Sequence, residues 1–196
     1  MGAMSDDAVS DSRREKQLTA ARALGTPTRV AIVDTLRLAM PRSLSRSQIR
    51  RAVPDASHAL TFHLATLVEG GWITASGSGA GTRYTAVAGV VSWSPEDLEN
   101  DPELRLAHQT VERMMHLRRR SRSELWISER DAGEWPTRWV EAESSRDFQL
   151  QLTPDQLEEL DRRVCEVLDE FRDLPTGPDS EWVMYQLHGF PFRVNL

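Results

Sequence analysis

The feature that most limits the fold of this chain is a pair of short apolar-periodic segments separated by a two-residue turn. Ser45 is a suitable N-cap for a helix over residues 45–53, and Pro54-Asp55 then forms a compact turn. The segment over about residues 56–69 carries leucines at four- and three-residue spacing and ends at a glycine pair. Two short helices joined in this way predict a helix-turn-helix.

A β-hairpin is predicted directly after the glycine pair. Residues 72–75 and 82–87 have the composition of strands, and the glycine- and serine-rich stretch 76–81 lies between them. A hairpin with a long tip beside a helix-turn-helix is a wing, here at about residues 72–87. Together with the helical patterns that precede it, the hairpin completes a predicted winged helix-turn-helix domain over residues 13–92.

The C-terminal half follows a different pattern. Apolar spacing predicts a helix over about residues 104–117 and another over residues 153–171. Residues 148–152 alternate like a strand, and residues 182–192 have the composition of a final strand. No structure is assigned to residues 124–146, where three tryptophans have no clear periodicity.

These patterns predict a mainly α fold with small β elements. The predicted parts are a disordered tail over residues 1–12, the winged helix-turn-helix domain, and an acidic helical or α+β domain over residues 103–196. The last of these is expected to serve dimerisation or to bind an effector.

Charge is distributed unevenly along the chain. The whole chain of 196 residues has a formal net charge of −6. Eight arginines against three acidic residues give residues 22–85 a charge of +5, whereas residues 86–196 carry −10. A basic module joined to an acidic one suggests that the first faces a polyanion and that the second has another task. The single cysteine and the lack of a long apolar stretch favour a cytoplasmic protein without a membrane segment.

Three separated pieces of the sequence resemble the ArsR-like winged-helix regulators. They are Ala23 to Arg29 leading into Ile32-Val33, Leu60 to Ile73, and Gly81 to Tyr84, which together cover about a third of the chain. The resemblance implies a winged helix-turn-helix that binds DNA and regulates transcription. Residues after 103 resemble the dimerisation or effector regions of such regulators only faintly, so no function is carried over to them.

Polar residues at the start of the predicted recognition helix are candidates for base contacts. An α-helix fits the major groove, where each base pair presents a distinct pattern of donors and acceptors. Ser57, His58 and Thr61 lie within about one turn of each other, opposite the leucine stripe. The alternative is that Ser57 only caps the helix and Thr61 is solvated. His63 either packs at the helix edge or contacts a phosphate.

Arginines are the candidates for phosphate contacts, which fix register and give salt-dependent affinity. Arg46, Arg50 and Arg51 belong to the helix before the turn, and Arg83 belongs to the wing. The alternative for each is a solvated surface side chain. The run Arg118 to Arg122 is either a second DNA contact or a partner of nearby acids.

The sequence does not favour a metal site, a cofactor or a catalytic role. Metal-sensing members of the family carry cysteines in the helix before the turn, where this chain has none, and His58 and His63 have the wrong spacing for a helical metal pair. No phosphate-binding loop or catalytic triad is recognisable, so an enzyme is not expected. Cys165 is interpreted as a small buried apolar residue.

The expected function is therefore a sequence-specific regulator of the repressor type that binds a double-stranded, pseudo-palindromic DNA operator as a homodimer. Leu104, Val111, Met114 and Leu117 could form the dimer seam or pack on the first domain of the same chain. Two alternatives stay open. The winged helix could be a protein-interaction module without DNA binding, or the tryptophan-rich region could bind a small-molecule effector. The three tryptophans, which could equally form a core, are Trp126, Trp135 and Trp139.

Overall fold

The computed structural model describes residues 6–87, 93–172 and 174–193. The chain divides into two compact units, residues 1–131 and 132–196. It is mainly helical with one three-stranded antiparallel sheet, which confirms the predicted mainly α class with small β elements. Within the described ranges, no helix combines the length and apolar character needed to cross a bilayer.

The first unit contains six α-helices among its described residues. They are α1 (Asp6–Ala23), α2 (Pro27–Ala39), α3 (Arg46–Ala52), α4 (Leu60–Glu69), α5 (Pro95–Asn100) and α6 (Pro102–Asp131). Helix α1 begins inside the predicted disordered tail, so the part of that tail from residue 6 onward is helical. The predicted tail residues 1–5 lie outside the described residues, as do the last five residues of the predicted first domain.

Local sequence explains where the two central helices begin. Thr26 accepts a hydrogen bond from the backbone N–H of Arg29 at the start of α2, and Pro27 occupies the first helical position. Ser45 and Gln48 form a reciprocal capping box at the start of α3. Helix α4 begins at Leu60, four residues later than predicted, because residues 54–56 form a turn of 3-10 helix.

The sheet consists of β1 (Leu44–Ser45), β2 (Ile73–Ser76) and β3 (Arg83–Ala86) in the order β1-β3-β2. The β2–β3 hairpin confirms the two predicted strands, and its register pairs Ile73 with Ala86 and Ser76 with Arg83. The two-residue strand β1 was not predicted. It pairs with β3 and so attaches the start of α3 to the hairpin.

One apolar core holds the first unit together. Trp72 is buried and donates a hydrogen bond from Nε1 to the carbonyl oxygen of Ala20 at 2.7 Å, which links the hairpin to α1. An indole that buries its ring and satisfies its N–H stabilises both elements. Other core side chains come from four further elements and from the residue after α1, and they include Leu24, Ile32, Leu36, Ile49, Leu64, Leu67 and Ile73.

Helix α6 is much longer than predicted and belongs to the first unit. Leu104 is buried, while Val111 and Met114 are partly buried against the core of this unit. Arg118 pairs with the buried carboxylate of Asp34 on α2. Three of the four candidate seam residues therefore pack within the chain. The assignment of no structure to residues 124–146 was wrong, because α6 extends to Asp131 and a further helix follows.

The second unit contains α7 (Thr137–Ala142) and α8 (Pro154–Arg172). Helix α8 confirms the predicted C-terminal helix. The two predicted strands over residues 148–152 and 182–192 are wrong for the single chain, since these segments form neither helix nor strand. A strand needs a neighbour to pair its backbone N–H and C=O groups, and no described segment of this unit provides that pairing.

Candidate nucleic-acid interface

Within the basic segment, residues 22–85, five arginines are exposed and form no ion pair with any described carboxylate: Arg42, Arg46, Arg50, Arg51 and Arg83. The other arginines of the basic segment have partners or are buried. Arg22 pairs with Glu103, Arg37 lies over the ring of Trp72, and Arg29 is buried. The charge of the basic segment is therefore concentrated on α3, the loop before it and the hairpin.

A cleft of about 420 Å³ lies between α3 and the tip of the hairpin. Arg46 and Arg50, one turn apart on α3, line it from one side, and Gly79 and Ala80 line it from the other. The remaining lining residues carry hydroxyl groups, namely Ser45, Ser47 and Thr82. The Thr82 hydroxyl donates to the Gly79 carbonyl oxygen at 2.9 Å, and the Ser45 and Ser47 hydroxyls hydrogen-bond each other at 2.9 Å. The two guanidinium groups are therefore the main donors that this concave surface offers to a phosphate.

Arg83 has a fixed position at the start of β3, next to the loop of the hairpin. Its Nε donates to the Ser43 hydroxyl oxygen at 2.8 Å, and its Nη2 donates to the Ser43 carbonyl oxygen at 2.5 Å. Arg83 and Arg42 line a second, more open cleft of about 630 Å³ with Gln48. Anchoring by Ser43 reduces the rotamer entropy that Arg83 would lose on binding a phosphate. We call Arg42, Arg46, Arg50 and Arg83 the arginine face.

The residues predicted to contact bases lie at and before the start of α4. Ser57 and His58 precede the helix in a turn, with His58 exposed and Ser57 half-buried. Thr61 is exposed in the first turn of α4. Ala59 is the N-cap of α4 and no side chain caps the helix, so Ser57 does not have the capping role that the sequence left open.

The exposed side of α4 includes a residue that sequence reasoning missed. The side chain of Phe62 is 64% exposed although phenylalanine is usually buried. Thr61, Ala65 and Val68 continue the same face at four- and three-residue spacing, opposite the buried leucines. The sequence did contain a signal for this exposure, because Phe62 does not fall on the helical spacing of the buried leucines. Apolar groups on such a face can contact the methyl group of thymine.

His63 lies toward the interior rather than on this exposed face. Its ring is half-buried, and Nδ1 is buried without a hydrogen-bond partner among the described residues. Burial, with a further contribution from the nearby charge of Arg29, lowers the pKa of His63 below its usual value of 6.5. The imidazole is therefore neutral at pH 7, which favours the packing role over the phosphate contact.

This environment makes stability depend on pH. In the unfolded chain His63 titrates at about 6.5, while in the folded chain it titrates lower, so the unfolded state binds more protons between the two values. We therefore expect the free energy of unfolding to fall as the pH decreases from 6.5 to the pKa of His63 in the folded chain. The substitution His63→Leu should remove this part of the pH dependence. Urea unfolding at a series of pH values measures it. Equal pH dependence in both proteins would contradict the burial of His63.

Three other sequence candidates have clear positions. In the basic run of α6, Arg118 pairs with Asp34 and Arg120 with Glu124, which supports ion pairing over a second DNA contact for these two. Trp135 and Trp139 contact each other edge to face, with ring centroids 6.5 Å apart. The interpretation of Cys165 as a buried residue was wrong, because it is exposed on α8.

Comparison of the chain with protein-family models, with curated proteins and with solved structures found no match. Among the described residues, no three or more of His, Cys, Asp and Glu are grouped so that they could hold a metal ion.

Proposed function

We propose that this protein is a sequence-specific double-stranded DNA-binding regulator of transcription, of the repressor type, and that residues 13–92 act as a winged helix-turn-helix. The single observation that carries the proposal is the arginine face, whose four guanidinium groups have no acidic partner among the described residues. Cations without partners on one side of a small unit are the electrostatic footprint of a polyanion site.

The positions of the elements support separate roles for α4 and for the arginine face, the first in contacting bases and the second in contacting phosphates. Helix α4 presents Thr61, Phe62 and Ala65 on an exposed face of the size that enters a major groove. Arg46 and Arg50 on α3 and Arg83 on the hairpin are suited to the phosphates on either side of that groove. The β1–β3 pairing attaches α3 to the hairpin, so both sets of contacts have a common scaffold.

Specific binding further requires a second copy, because one short helix reads only a few base pairs. The proposed operator is therefore a pseudo-palindrome whose half-sites lie about one helical turn, roughly 34–36 Å, apart. A homodimer on such a site would block access of other proteins to the same DNA, which is the action of a repressor.

The proposal is tested by the salt dependence of binding to a labelled duplex. Neutralising phosphates releases counterions, so the logarithm of the association constant should fall linearly with the logarithm of salt concentration, with a slope of about −0.9 per phosphate contacted. Four arginines on each of two copies predict a slope on the order of −7 for the dimer. Binding that is absent at low salt, or that is independent of salt, would contradict the proposal.

Substitutions on α4 should change sequence preference rather than overall charge interaction. We expect Thr61→Ala or Phe62→Ala to relax discrimination at particular base pairs by about 1–3 kcal/mol, with the salt slope unchanged. Glu69→Gln, on the same helix but in its last turn, is the matched control. Competition between duplexes that differ at one base pair measures the effect. Uniform weakening on all duplexes would instead assign these side chains to the backbone.

The exposed ring of Phe62 favours one second candidate, a protein-interaction module that lacks DNA binding. Large exposed aromatic side chains are typical anchors of protein interfaces. The two functions differ in their response to the arginine face. A protein interface centred on Phe62 would lose affinity in Phe62→Ala and keep it in Arg50→Ala, whereas DNA binding should weaken in both.

A further inference from the structure

The exposed face of α4 lacks the side chains that make paired hydrogen bonds to a base. Residues 52–81 contain no arginine, lysine, asparagine or glutamine. These four side chains bind guanine through O6 and N7, or adenine through N6 and N7, with two hydrogen bonds at once. The exposed arginines of the basic segment lie instead on α3, the loop before it and the hairpin. Base reading by α4 therefore depends on other groups.

The polar groups that remain on and beside α4 discriminate weakly between bases. The Thr66 hydroxyl donates to the Phe62 carbonyl oxygen at 3.0 Å, so its proton is already engaged. Thr61 is exposed and its hydroxyl has no partner among the described residues, but a hydroxyl both donates and accepts, so it bonds to any base edge. His58 precedes the helix and makes single hydrogen bonds, because its two ring nitrogens point in different directions. Glu69 lies in the last turn, whereas a recognition helix contacts bases with its N-terminal residues.

An aromatic ring lies at the centre of this face. A helix turns by about 100° per residue, so Phe62 lies almost opposite the middle of the three buried leucines. Its side chain is 64% exposed, and its ring centroid lies 6.0 Å from that of His63, a separation at which aromatic rings attract each other. The neighbouring ring therefore restricts Phe62 on one side and leaves the rest open. Thr61 and Ala65 are exposed beside it and add one methyl group each.

The charge around this apolar face indicates what it contacts. One ring and two methyl groups expose far less than the roughly 800 Å² per partner of a standard protein interface. The arginine face belongs to the elements before and after α4 in the chain, and its guanidinium groups have no acidic partner among the described residues. A polyanion that also presents an apolar group is complementary to both features. In the major groove of DNA, thymine presents such a group, its C5-methyl.

We propose that α4 reads the operator through the C5-methyl groups of pyrimidines, with the Phe62 ring as the principal contact. The ring and the methyl group shield each other from water, which stabilises the complex. A base pair without that methyl group leaves the ring in contact with water. Each half-site is therefore expected to contain a thymine that faces Phe62. Recognition of this kind rests on the proposed function, DNA binding, and adds the chemical group that α4 distinguishes.

Methylated cytosine should bind in the same way as thymine. The C5-methyl group of 5-methylcytosine occupies the position of the thymine methyl group, while the hydrogen-bonding atoms remain those of cytosine. The side chains of Phe62 and Ala65 make no hydrogen bonds, so they do not distinguish the two methylated pyrimidines. We expect a site with cytosine in place of this thymine to bind weakly. Methylation of that cytosine at C5 should raise the association constant about three- to fivefold.

Deoxyuridine tests the inference on the wild-type chain, because it lacks the methyl group of thymidine and keeps every hydrogen-bonding atom. Duplexes recovered from a random pool are synthesised again with one thymine at a time replaced in each half-site. We expect the association constant to fall about three- to fivefold for one methyl group, and about tenfold when both half-sites are changed. Thymines in the flanking sequence are the control and should have no effect. Unchanged affinity at every thymine of the half-sites would overturn the inference.

The substitution Phe62→Ala connects that methyl group to one side chain. The variant should bind the thymine duplex and the duplex with deoxyuridine in both half-sites within about twofold of each other, because the two losses remove the same contact. Val68→Ala is the matched control, since Val68 is a 40% exposed apolar residue near the other end of α4, and it should keep the wild-type preference. Circular dichroism establishes that both variants keep their helix content. A Phe62→Ala variant with the full preference for thymine would overturn the role of the ring.

The same measurements separate methyl recognition from the proposed function. A chain that binds duplex DNA with a steep salt dependence and selects one sequence family, yet does not distinguish thymine from deoxyuridine, would overturn methyl recognition and leave DNA binding intact. A chain that binds no duplex at low salt would overturn both, and the exposed ring of Phe62 would then fit the protein-interaction alternative.

Discussion

Replacing Arg46 and Arg50 together by alanine should lower the affinity for duplex DNA by about 100-fold or more at moderate salt. The two guanidinium groups line one cleft with three hydroxyls, so both can bind the same stretch of phosphates. Each charge-assisted hydrogen bond contributes about 1.5–3 kcal/mol, and 1.4 kcal/mol corresponds to a factor of ten. The salt slope should also become shallower by about two units for each chain bound.

Arg51→Ala is the matched control for this double variant. Arg51 belongs to the same helix and carries the same charge, but it does not line the cleft. Replacing Arg51 by alanine should therefore lower the affinity for duplex DNA much less than the double substitution does. If Arg51→Ala weakened binding as much as either cleft substitution, general attraction rather than a defined cleft would account for the affinity.

The second large effect concerns the packing of α1 against the end of α4. Gly70 is buried, and a Cβ atom there would overlap the Cβ of Ala23, the last residue of α1. It would also lie 3.2 Å from Trp72 Cδ1 and 3.3 Å from the Thr66 carbonyl oxygen. Ala23 is only 1% exposed and cannot rotate away. We expect Gly70→Ala to lower the free energy of unfolding by about 1–3 kcal/mol, measured by urea denaturation.

A compensating substitution separates this overlap from a general intolerance of alanine. Ala23→Gly removes the opposing Cβ, so the double variant should be more stable than the sum of the two single effects predicts. Gly81→Ala is the control, because nothing lies within 4 Å of the added atom, and its effect should stay within about 0.5 kcal/mol. Strict additivity of Ala23→Gly and Gly70→Ala would contradict the close approach.

The elements of the first unit were largely predictable because their signals are local. A capping serine begins α3, leucines at helical spacing define α4, and composition defines the two strands of the hairpin. The start of α4 was predicted too early because a 3-10 turn of three residues has no distinct periodicity. Strand β1 was missed because two residues carry no pattern that can be recognised.

Long-range contacts account for most of what the sequence did not predict. Helix α6 contacts helices far away in the sequence through the buried Leu104 and through the Asp34–Arg118 pair. The sequence alone could therefore not decide whether the seam residues pack within the chain or against a partner. The same holds for the arginines. Local charge identified Arg46, Arg50 and Arg83, but only the fold reveals that Arg22 has an acidic partner and that Arg42 has none among the described residues.

The strand predictions in the second unit failed for a different physical reason. Residues 148–152 and 182–192 carry apolar side chains in the composition of strands, and most of those side chains stay exposed in the single chain. A strand is stabilised by the segments that pair with it and cover it, and these are not local to its sequence. Phe148 and Trp182 show this most clearly, because they stay 77% and 75% exposed.

Selection of binding sites from a pool of random duplexes tests the central claim most directly. The full-length chain should enrich one sequence family with two inverted half-sites whose centres lie about 10–10.5 base pairs, or a multiple of that distance, apart. The Arg46→Ala/Arg50→Ala variant should recover the same sequence with lower yield, because phosphate contacts position the protein without reading bases. If the selected pool were indistinguishable from the starting pool after repeated rounds, sequence-specific DNA binding would be contradicted.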